Sequence, residues 1–322
     1  MAQHGEYYKV VDVVVYVSSV ANPQKHSRKI QCLESFAEGV RATGHTVCVE
    51  WQHKYTASKL AVILGWATTN TGGHNIVLRK QIIAEQTRLG FHTMCIDDSC
   101  WKYLDDHSSY LRYSLDGPFY NHAEYANKNS TGDKWQEISQ ALGVNLQPAQ
   151  HNTDGHILIG MQRDGGFAMK TLNPMDWLRK KITQIRSVTP RPIQIRPHPG
   201  KYDLKDFDEY RRSRAHSQNI TVIDPAQSQL LDNLQNAHSA VFFNSSASVA
   251  AVCAGIPVFV DDSSCVAWTV ANRDISKIET PSVFDRNQWI WDLAAAHWSD
   301  ADSRAGLVYK KFLPYLTSTV TS

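Results

Sequence analysis

The sequence predicts an α/β fold in which two doubly wound domains face a central cleft. Short β-branched segments alternate with amphipathic segments of helical spacing, which is typical of parallel sheets with helices on both faces. The 322 residues suffice for about two domains. A polar stretch at 147–152 divides them, so we predict one domain over residues 1–150 and another over residues 151–322, with a last helix able to cross back.

In the first half, the predicted strands are short apolar runs, and the predicted helices carry apolar residues three or four positions apart. Gly44 and Gly90 suit the position just after a helix end. Residues 103–129 show little periodicity, so no element is predicted there. The strands are Val10–Val17, His45–Trp51, Leu60–Gly65 and Phe91–Ile96, and the helices are Arg28–Thr43, Ile76–Arg88 and Trp135–Leu142.

The second half repeats the alternation of strands and helices. Its predicted strands are Ile157–Gly160, Ile193–Arg196, Thr221–Ile223, Ala240–Phe243 and Ile256–Val260. Its predicted helices are Pro174–Arg186, Asp206–Arg214, Gln227–Ala237, Ser246–Ala254 and Asn287–His297. Each half is therefore predicted to form one sheet, and the two sheets are expected to be similar in size.

Charge and cysteine content exclude several classes of protein. Lysine and arginine number 33 against 31 aspartates and glutamates, and the net charge of +2 excludes a histone-like protein. A local basic face stays open, because binding depends on where charges lie. No apolar run reaches the about 20 residues of a membrane helix, and no signal peptide is recognisable. The six cysteines form no Cys-x-x-Cys pair, so we expect a cytoplasmic protein with reduced thiols and no membrane partner.

Four strand ends of the second half carry polar residues, and ligands of open α/β sheets bind beyond the carboxyl ends of strands. Ser245 and Ser246 open a helix whose free N–H groups suit an anion, although an ordinary helix cap explains them equally well. Arg196 and His198 end a neighbouring strand, where a guanidinium and an imidazole suit a diphosphate. Arg163 could join this pocket or remain a surface cation.

Two segments of the first half could serve proton transfer. The loop 68–75 contains His74, which could act as a base or as a positioning group. Asp97 ends a strand and could accept a proton from a hydroxyl group, or it could cap a turn. Asp98 follows it, but adjacent strand residues point to opposite faces, so no metal ion is expected. A nucleophile elbow, a Walker lysine motif and a Gly-x-Gly-x-x-Gly turn are missing from the sequence.

The His198-Pro199 turn, Asn244-Ser245-Ser246 and the segment Ala254-Gly255-Ile256-Pro257-Val258-Phe259-Val260 together resemble GT-B glycosyltransferases, above all the capsule-polysaccharide group. The resemblance covers most of residues 157–260. It implies two Rossmann-like domains, an N-terminal one for the acceptor and a C-terminal one for a nucleotide sugar, with a UDP-sugar expected and no bound cofactor. The family often has a glutamate for the donor ribose in the helix after the serines. Residues 248–252 have no acid, so Asp261 or Asp262 could replace it.

The resemblance also implies roles for individual residues. The donor would be held by Gln162, Arg163, Lys170, Arg196, His198, Asn244, Ser245, Ser246 and Asp261. The acceptor would contact Trp66, Asn70, Gly73, Trp101 and Arg112. Asp97 or His74 would activate the acceptor hydroxyl, and negative charge on the departing nucleotide would be stabilised without a metal.

Bacteriophage and virome proteins resemble this chain through Gly65-Trp66-Ala67, Gln162-Arg163-Asp164-Gly165-Gly166, Arg196-Pro197-His198-Pro199-Gly200 and Asp285-Arg286-Asn287-Gln288-Trp289-Ile290. They imply an enzyme of the host cytoplasm that glycosylates hydroxymethylcytosine or hydroxymethyluracil in double-stranded DNA. Basic clusters at 179–186 and 211–214 could bind phosphates, or they could be solvated helix faces. Two alternatives stay open: transfer to a surface polysaccharide or lipid-linked glycan, and a non-catalytic protein that binds a nucleotide sugar or DNA.

Overall fold

The computed structural model describes residues 11–20, 27–67, 73–105, 109–163, 167–169, 172–199, 202, 204–211 and 219–316. Within these residues the strands form two separate sheets, one of six strands and one of five. No helix in this part of the chain is both long and apolar enough to cross a membrane. The predicted α/β class with two sheets of mainly parallel strands is confirmed.

The first sheet has the strand order β11-β5-β4-β3-β1-β2. The strands β1 to β4 run parallel, whereas β5 lies antiparallel to β4 and to β11. Its strands are β1 Val11–Tyr16, β2 Val47–Glu50, β3 Ser58–Leu64, β4 His92–Asp98, β5 Tyr110–Leu115 and β11 His297–Ser299. The carboxyl ends of β1 to β4 therefore meet along one edge of this sheet.

The second sheet is parallel throughout and has the strand order β10-β9-β6-β7-β8. Its central strands are buried on both faces, as apolar parallel strands require. The strands are β6 His156–Gly160, β7 Ile193–Arg196, β8 Ile220–Val222, β9 Ala237–Phe242 and β10 Val258–Val260.

Helices cover both faces of each sheet, which is the doubly wound arrangement. The helices are α1 Ser27–Ala42, α2 His74–Leu89, α3 Asp133–Leu142, α4 Pro174–Arg186, α5 Asp208–Arg211, α6 Leu230–Leu234, α7 Ala247–Cys253, α8 Asn287–Ala295, α9 Asp300–Arg304 and α10 Leu307–Phe312. Short 3-10 turns lie at Val17–Ser19, Phe167–Met169, Leu204–Phe207, Trp268–Val270, Ile275–Lys277 and Leu313–Tyr315. In the first sheet, α1 and α10 pack on one face and α2 on the other.

The end of the chain returns to the first sheet. Strand β11 pairs with β5, so that His297 lies opposite Arg112. Helix α9 then packs on α1, where a Cβ atom on Gly39 would stand 2.0 Å from the carbonyl oxygen of Ser303. Only glycine permits this close approach of two backbones. The last strand thus belongs to the first sheet although it follows the whole second half in sequence.

One apolar core joins the two halves. It contains Trp101 from the loop after β4, Phe242 from β9 and Ile290 from α8, all fully buried. On the opposite face of the second sheet, α4 packs through Trp177 and Leu178. Because the halves share buried side chains, the loops at the strand ends are held in a defined relation to each other.

Three sequence predictions of secondary structure need correction. Strand β5 lies within residues 103–129, where no element was predicted. The helix predicted over Gln227–Ala237 is only α6, because Asn236 has a positive φ of 57° and Ala237 begins β9. The helix predicted to reach His297 ends at Ala295, and His297 begins β11.

Candidate functional site

Loops of the two halves approach each other near the ends of β4 and β7, and we call the space between these loops the cleft. Asn121 Nδ2, from the segment after β5, donates a hydrogen bond of 3.0 Å to Ser263 Oγ, which follows β10. The charge of Lys102, which follows β4, acts on His198, which follows β7. The loops after β4 and β7, which carry Lys102 and His198, therefore lie close to each other.

His198 lies at the second-domain side of the cleft. Burial lowers the pKa of His198, and the positive charges of Arg163 and Lys102 lower it further, while its hydrogen bond to Pro199 opposes them. Its Nδ1 lies 2.8 Å from the carbonyl oxygen of Pro199, which can only accept, so Nδ1 carries the proton. The imidazole is therefore held neutral beside two cations, which is a place where an anion would be stabilised.

Arg196 does not stand free in the cleft. Its Nη2 donates to the carbonyl oxygen of Ser228 at 3.1 Å, and its Nη1 contacts Ser228 Oγ and Asn233 Oδ1. Burial lowers the pKa of Arg196. The guanidinium thus links the end of β7 to the residues of α6 and the turn before it, and its role in holding a diphosphate stays a prediction.

Gln162 and Asn244, two residues predicted to bind the nucleotide sugar, form a buried hydrogen-bonded bridge between strand ends. The Nε2 atom of Gln162, which follows β6, donates to Asn244 Oδ1, and Asn244 Nδ2 donates to Ser264 Oγ at 2.8 Å. Asn244 Nδ2 also contacts the carbonyl oxygen of Ala168 at 2.9 Å. Gln162 and Asn244 therefore fix the loops around the site, and their amide groups are engaged within the protein.

Ser245 and Ser246 lie where β9 gives way to α7. Ser245 Oγ accepts a hydrogen bond of 3.2 Å from Ala247 N. Ser246 is exposed, stands at the N-cap position and makes no side-chain cap. The Ser246 hydroxyl is thus presented to solvent at the carboxyl edge of the sheet.

Both carboxylate oxygens of Asp261 bind side chains of helix α4. Its Oδ1 lies 2.7 Å from Lys181 Nζ, and its Oδ2 accepts a 2.6 Å hydrogen bond from Trp177 Nε1. Lys181 is buried and its charge must be compensated. Both oxygens of Asp261 thus have protein partners, and its contact with a donor ribose stays a prediction. Asp262 Oδ1 accepts a hydrogen bond of 2.9 Å from Ser264 N.

On the first-domain side, Asp97 ends β4 and pairs with Arg112 across the sheet. Arg112 Nη2 lies 2.8 Å from Asp97 Oδ2, and Asp97 Oδ1 accepts a 2.9 Å bond from Asp98 N. The side chain of Asp97 is 38% exposed and that of Arg112 only 13%. Arg112, which was predicted to contact the acceptor, is therefore a mostly buried side chain that orients Asp97, while Asp97 stays partly exposed at the carboxyl edge of the first sheet.

Arg79 of α2 is a residue at the carboxyl edge of the first sheet that the sequence analysis missed. Its Nε donates to the carbonyl oxygen of Ser19 at 2.9 Å, just beyond β1. Burial lowers the pKa of Arg79, while the charge of Asp97 opposes that shift. A Cβ atom on Gly65, whose φ is +73°, would stand 3.1 Å from Arg79 Nη1. The glycine of the Gly65-Trp66 pair is a sequence signal for an unusual backbone conformation. The sequence does not indicate that Arg79 packs against it.

The other residues of the first half that were predicted to belong to the site lie in different places. Gly73 and His74 are exposed at the start of α2, and Trp66 is half-buried against the core beneath that helix. Trp101 is fully buried, with its ring 4.7 Å from that of His297, so the prediction that it contacts the acceptor is wrong. Asn70 and Lys170 lie outside the described residues.

Nothing in the described residues indicates a metal centre. No group of three or more histidine, cysteine, aspartate or glutamate side chains is arranged there to hold a metal ion. Each of the six cysteines is a free thiol, and all except Cys48 are buried. Burial raises the pKa of Cys265 to about 11, so this thiol stays protonated at neutral pH and is a poor nucleophile.

Comparison with known proteins finds similarity in structure only. No family model and no curated protein sequence matches the chain. Among solved structures it is similar to Thermosulfurimonas dismutans KpsC, beta Kdo 2,4 transferase, at a TM-score of 0.52 and 10% identity, covering 90% of this chain and 92% of that chain. The KpsC beta Kdo 2,7 transferase of the same organism gives a TM-score of 0.49 and 12% identity, covering 93% and 99%. The two sheets, their helices and the first of these similarities identify the fold as the Rossmann-like GT-B fold.

Proposed function

We propose that this protein is a glycosyltransferase that moves a sugar from a nucleotide-sugar donor to a surface polysaccharide. The observation that carries the proposal is the GT-B fold, similar over 90% of the chain to a transferase named for its action on Kdo. Because fold alone does not specify chemistry, the proposal also depends on the charged side chains of the cleft.

The cations on both sides of the cleft suit the phosphate of a nucleotide. Arg163 is exposed. Lys102 is 52% exposed and pairs with Asp98 at 2.5 Å, so Arg163 is the less compensated of the two cations. Both charges act on His198. A phosphate at this point would gain charge-assisted hydrogen bonds. The same groups would stabilise the negative charge that develops on the departing nucleotide. Which nucleotide the donor carries, with UDP as our expectation, is part of the proposal.

Asp97 is the proposed base, with His74 as the alternative. Arg112 holds one oxygen of Asp97, while more than a third of the side chain stays exposed. An acceptor hydroxyl that enters the cleft could hydrogen-bond to this carboxylate and pass its proton to it. The fixed orientation reduces the entropic cost of bringing the two groups together.

The acceptor that we favour is a polysaccharide, because cations of the basic cluster at 179–186 already have partners within the protein. Arg179 of α4 pairs with Asp176 and Glu209, and Lys181 pairs with Asp261. Arg186 donates to the carbonyl oxygen of Arg191 at 2.8 Å. Two of the four cations of the cluster at 179–186 are thus already compensated within the protein, and the side chains of the cluster at 211–214 lie outside the described part of the chain. A hydroxymethylated DNA duplex remains the second acceptor to be tested.

A transfer assay tests the proposal directly. The protein is incubated with a panel of nucleotide sugars, which includes UDP-sugars and nucleotide-activated Kdo, and with either capsule oligosaccharides or hydroxymethylated duplex DNA. Mass spectrometry then detects added sugar. Arg163→Ala and His198→Ala should each lower kcat/KM by about 10- to 100-fold, the value of a charged hydrogen bond. Arg88→Ala, on an exposed ion pair with Glu85, is the matched control and should leave the rate unchanged.

The outcomes separate the candidate functions. Sugar on the oligosaccharide supports the proposal, whereas sugar on the duplex moves the acceptor to DNA. Binding of a nucleotide sugar by calorimetry without product from any acceptor would indicate a non-catalytic binding protein. Equal rates for Arg163→Ala, His198→Ala and the control would show that the donor phosphate binds elsewhere.

A further inference from the structure

A tryptophan is exposed at the carboxyl edge of the first sheet, outside the cleft residues described above. Trp51 directly follows β2 and is 55% exposed. Large aromatic side chains that face solvent at a ligand-binding edge are candidates for contact with a partner, because they offer much apolar area at low entropic cost.

The loop that presents Trp51 is rigidly built. The buried Glu50 accepts a 2.8 Å hydrogen bond from Gln52 N through Oε1 and a 3.3 Å bond from Thr56 Oγ1 through Oε2. The buried Tyr16 hydroxyl donates to Thr56 O at 2.7 Å and accepts from Thr56 N at 3.0 Å. Two buried polar side chains thus fix both ends of the loop. Its aromatic tip is held in place before any ligand arrives, which lowers the cost of binding.

The same loop reaches the start of α2. The ring of His53 lies 5.9 Å from the ring of His74, and both residues are exposed. Val77, one helical turn after His74 on the same face of α2, is 51% exposed. Lys54 is 59% exposed, and its Nζ lies 3.7 Å from Oε2 of the buried Glu50, which leaves the outer side of the ammonium group open to solvent. Aromatic, apolar and cationic groups therefore stand together beside the candidate base His74.

We propose that Trp51, His53 and Lys54 form a subsite for a distal, acidic sugar unit of the acceptor chain, an inference that rests on the proposed function. The tryptophan would stack on a sugar ring, and Lys54 would attract a carboxylate on that unit or its neighbour. Asp97 and Trp51 end strands that are three positions apart in the order β4-β3-β1-β2, or roughly 14 Å at the spacing of sheet strands. A single sugar cannot span this distance, whereas an extended chain can.

The chemistry of the loop favours a glycan over a protein partner. The solvent-facing side chains next to Trp51 are Gln52, His53 and Lys54, which are polar and not acidic. A protein-binding patch would present a broader apolar core. One aromatic face bordered by hydrogen-bonding groups matches a sugar ring, which has an apolar face and polar edges.

The test compares Trp51→Ala and Trp51→Phe with wild type on an oligosaccharide ladder from partial hydrolysis of a Kdo-containing capsule polysaccharide. Binding is measured by calorimetry without donor, so that it does not depend on turnover. For long members of the ladder, Trp51→Ala should weaken binding by about 3- to 10-fold, the loss of one stacking contact, and Trp51→Phe should retain most of the affinity. The shortest members should bind all three proteins equally.

Two further measurements make the result decisive. Leu307→Ala removes an apolar side chain that is 44% exposed on α10 and should change nothing. With turnover present, Trp51→Ala should raise KM for long acceptors and leave kcat unchanged. Equal binding of long oligosaccharides by wild type and Trp51→Ala, absence of binding to any member, or a change of oligomeric state in Trp51→Ala would overturn the inference. Length-dependent binding without any transfer would instead refute only the proposed function.

Discussion

Replacement of His297 by glutamine should reduce the sensitivity of this protein to acid. His297 is fully buried at the start of β11, where the chain returns to the first sheet. Its Nε2 accepts a hydrogen bond of 3.1 Å from Cys100 N, and its Nδ1 donates to Leu293 O at 2.8 Å. The ring is therefore neutral in the folded state, and a proton on Nε2 would destroy the bond to Cys100.

The size of the effect follows from the pKa of His297. Burial lowers this pKa from 6.5 to about 3, with a smaller contribution from Arg112 and an opposing hydrogen bond to Leu293. Between these values the unfolded chain binds more protons than the folded one, so stability falls as the pH drops below 6.5 and the loss is complete near pH 3. At about 1.4 kcal/mol for each pKa unit, the full loss is about 5 kcal/mol, and the loss between pH 7 and pH 5 is about 2 kcal/mol.

Urea unfolding of wild type and His297→Gln at pH 7 and pH 5 measures this difference. The wild type should lose about 2 kcal/mol more of its free energy of unfolding than the variant over that interval, because glutamine can keep a donor and an acceptor without titrating. His122→Gln, at an exposed histidine, controls for the change of residue type. Equal losses in wild type and His297→Gln would refute the reasoning that His297 must be neutral in the fold.

Two further predictions concern the base and a glycine. Asp97→Asn should lower kcat by at least about 100-fold while leaving the affinity for a nucleotide sugar unchanged, as measured by single-turnover transfer and calorimetry. Gly255→Ala should lower the free energy of unfolding by more than about 1 kcal/mol, because φ is +78° and the new Cβ would stand 2.0 Å from the carbonyl oxygen of Pro148. Gly143→Ala shares the positive φ of +64° but meets nothing within 4 Å, so it should cost less.

Contrary results would be informative in both cases. If Asp97→Asn keeps its turnover while His74→Ala loses it, the histidine is the base and Asp97 holds the structure of the sheet with Arg112. If Gly255→Ala and Gly143→Ala are equally destabilised in urea, backbone strain alone accounts for both, and the contact with Pro148 is relieved by a small shift of the linker.

Local sequence patterns predicted most of the parallel strands because their signal is short-range. The β-branched run around β1 and the apolar run of β3 match the structure within two or three residues. Strand β5 was missed although Leu111, Tyr113 and Leu115 alternate with Arg112 and Ser114. Its polar neighbours concealed a period-two pattern that a closer count would have detected.

Strand β11 could not be predicted in the same way. The apolar spacing of α8 continues through Ala294, so His297 looked like one more helical residue. What makes it a strand is the unpaired edge of β5, which lies about 185 residues earlier in the chain. A strand of three residues has little preference of its own and forms only where a neighbour supplies its hydrogen bonds.

The α/β class, the two halves and the strand ends where polar residues collect follow from local sequence patterns, because spacing, turn residues and apolar runs act over a few positions. What those polar residues contact depends on the tertiary structure. It assigned Arg112 to Asp97 and Lys181 to Asp261, and it buried Trp101 in the core between the halves. These outcomes depend on which side chains, far apart in sequence, come into contact in the protein interior, where a buried charge requires a partner. Local sequence patterns do not specify such contacts.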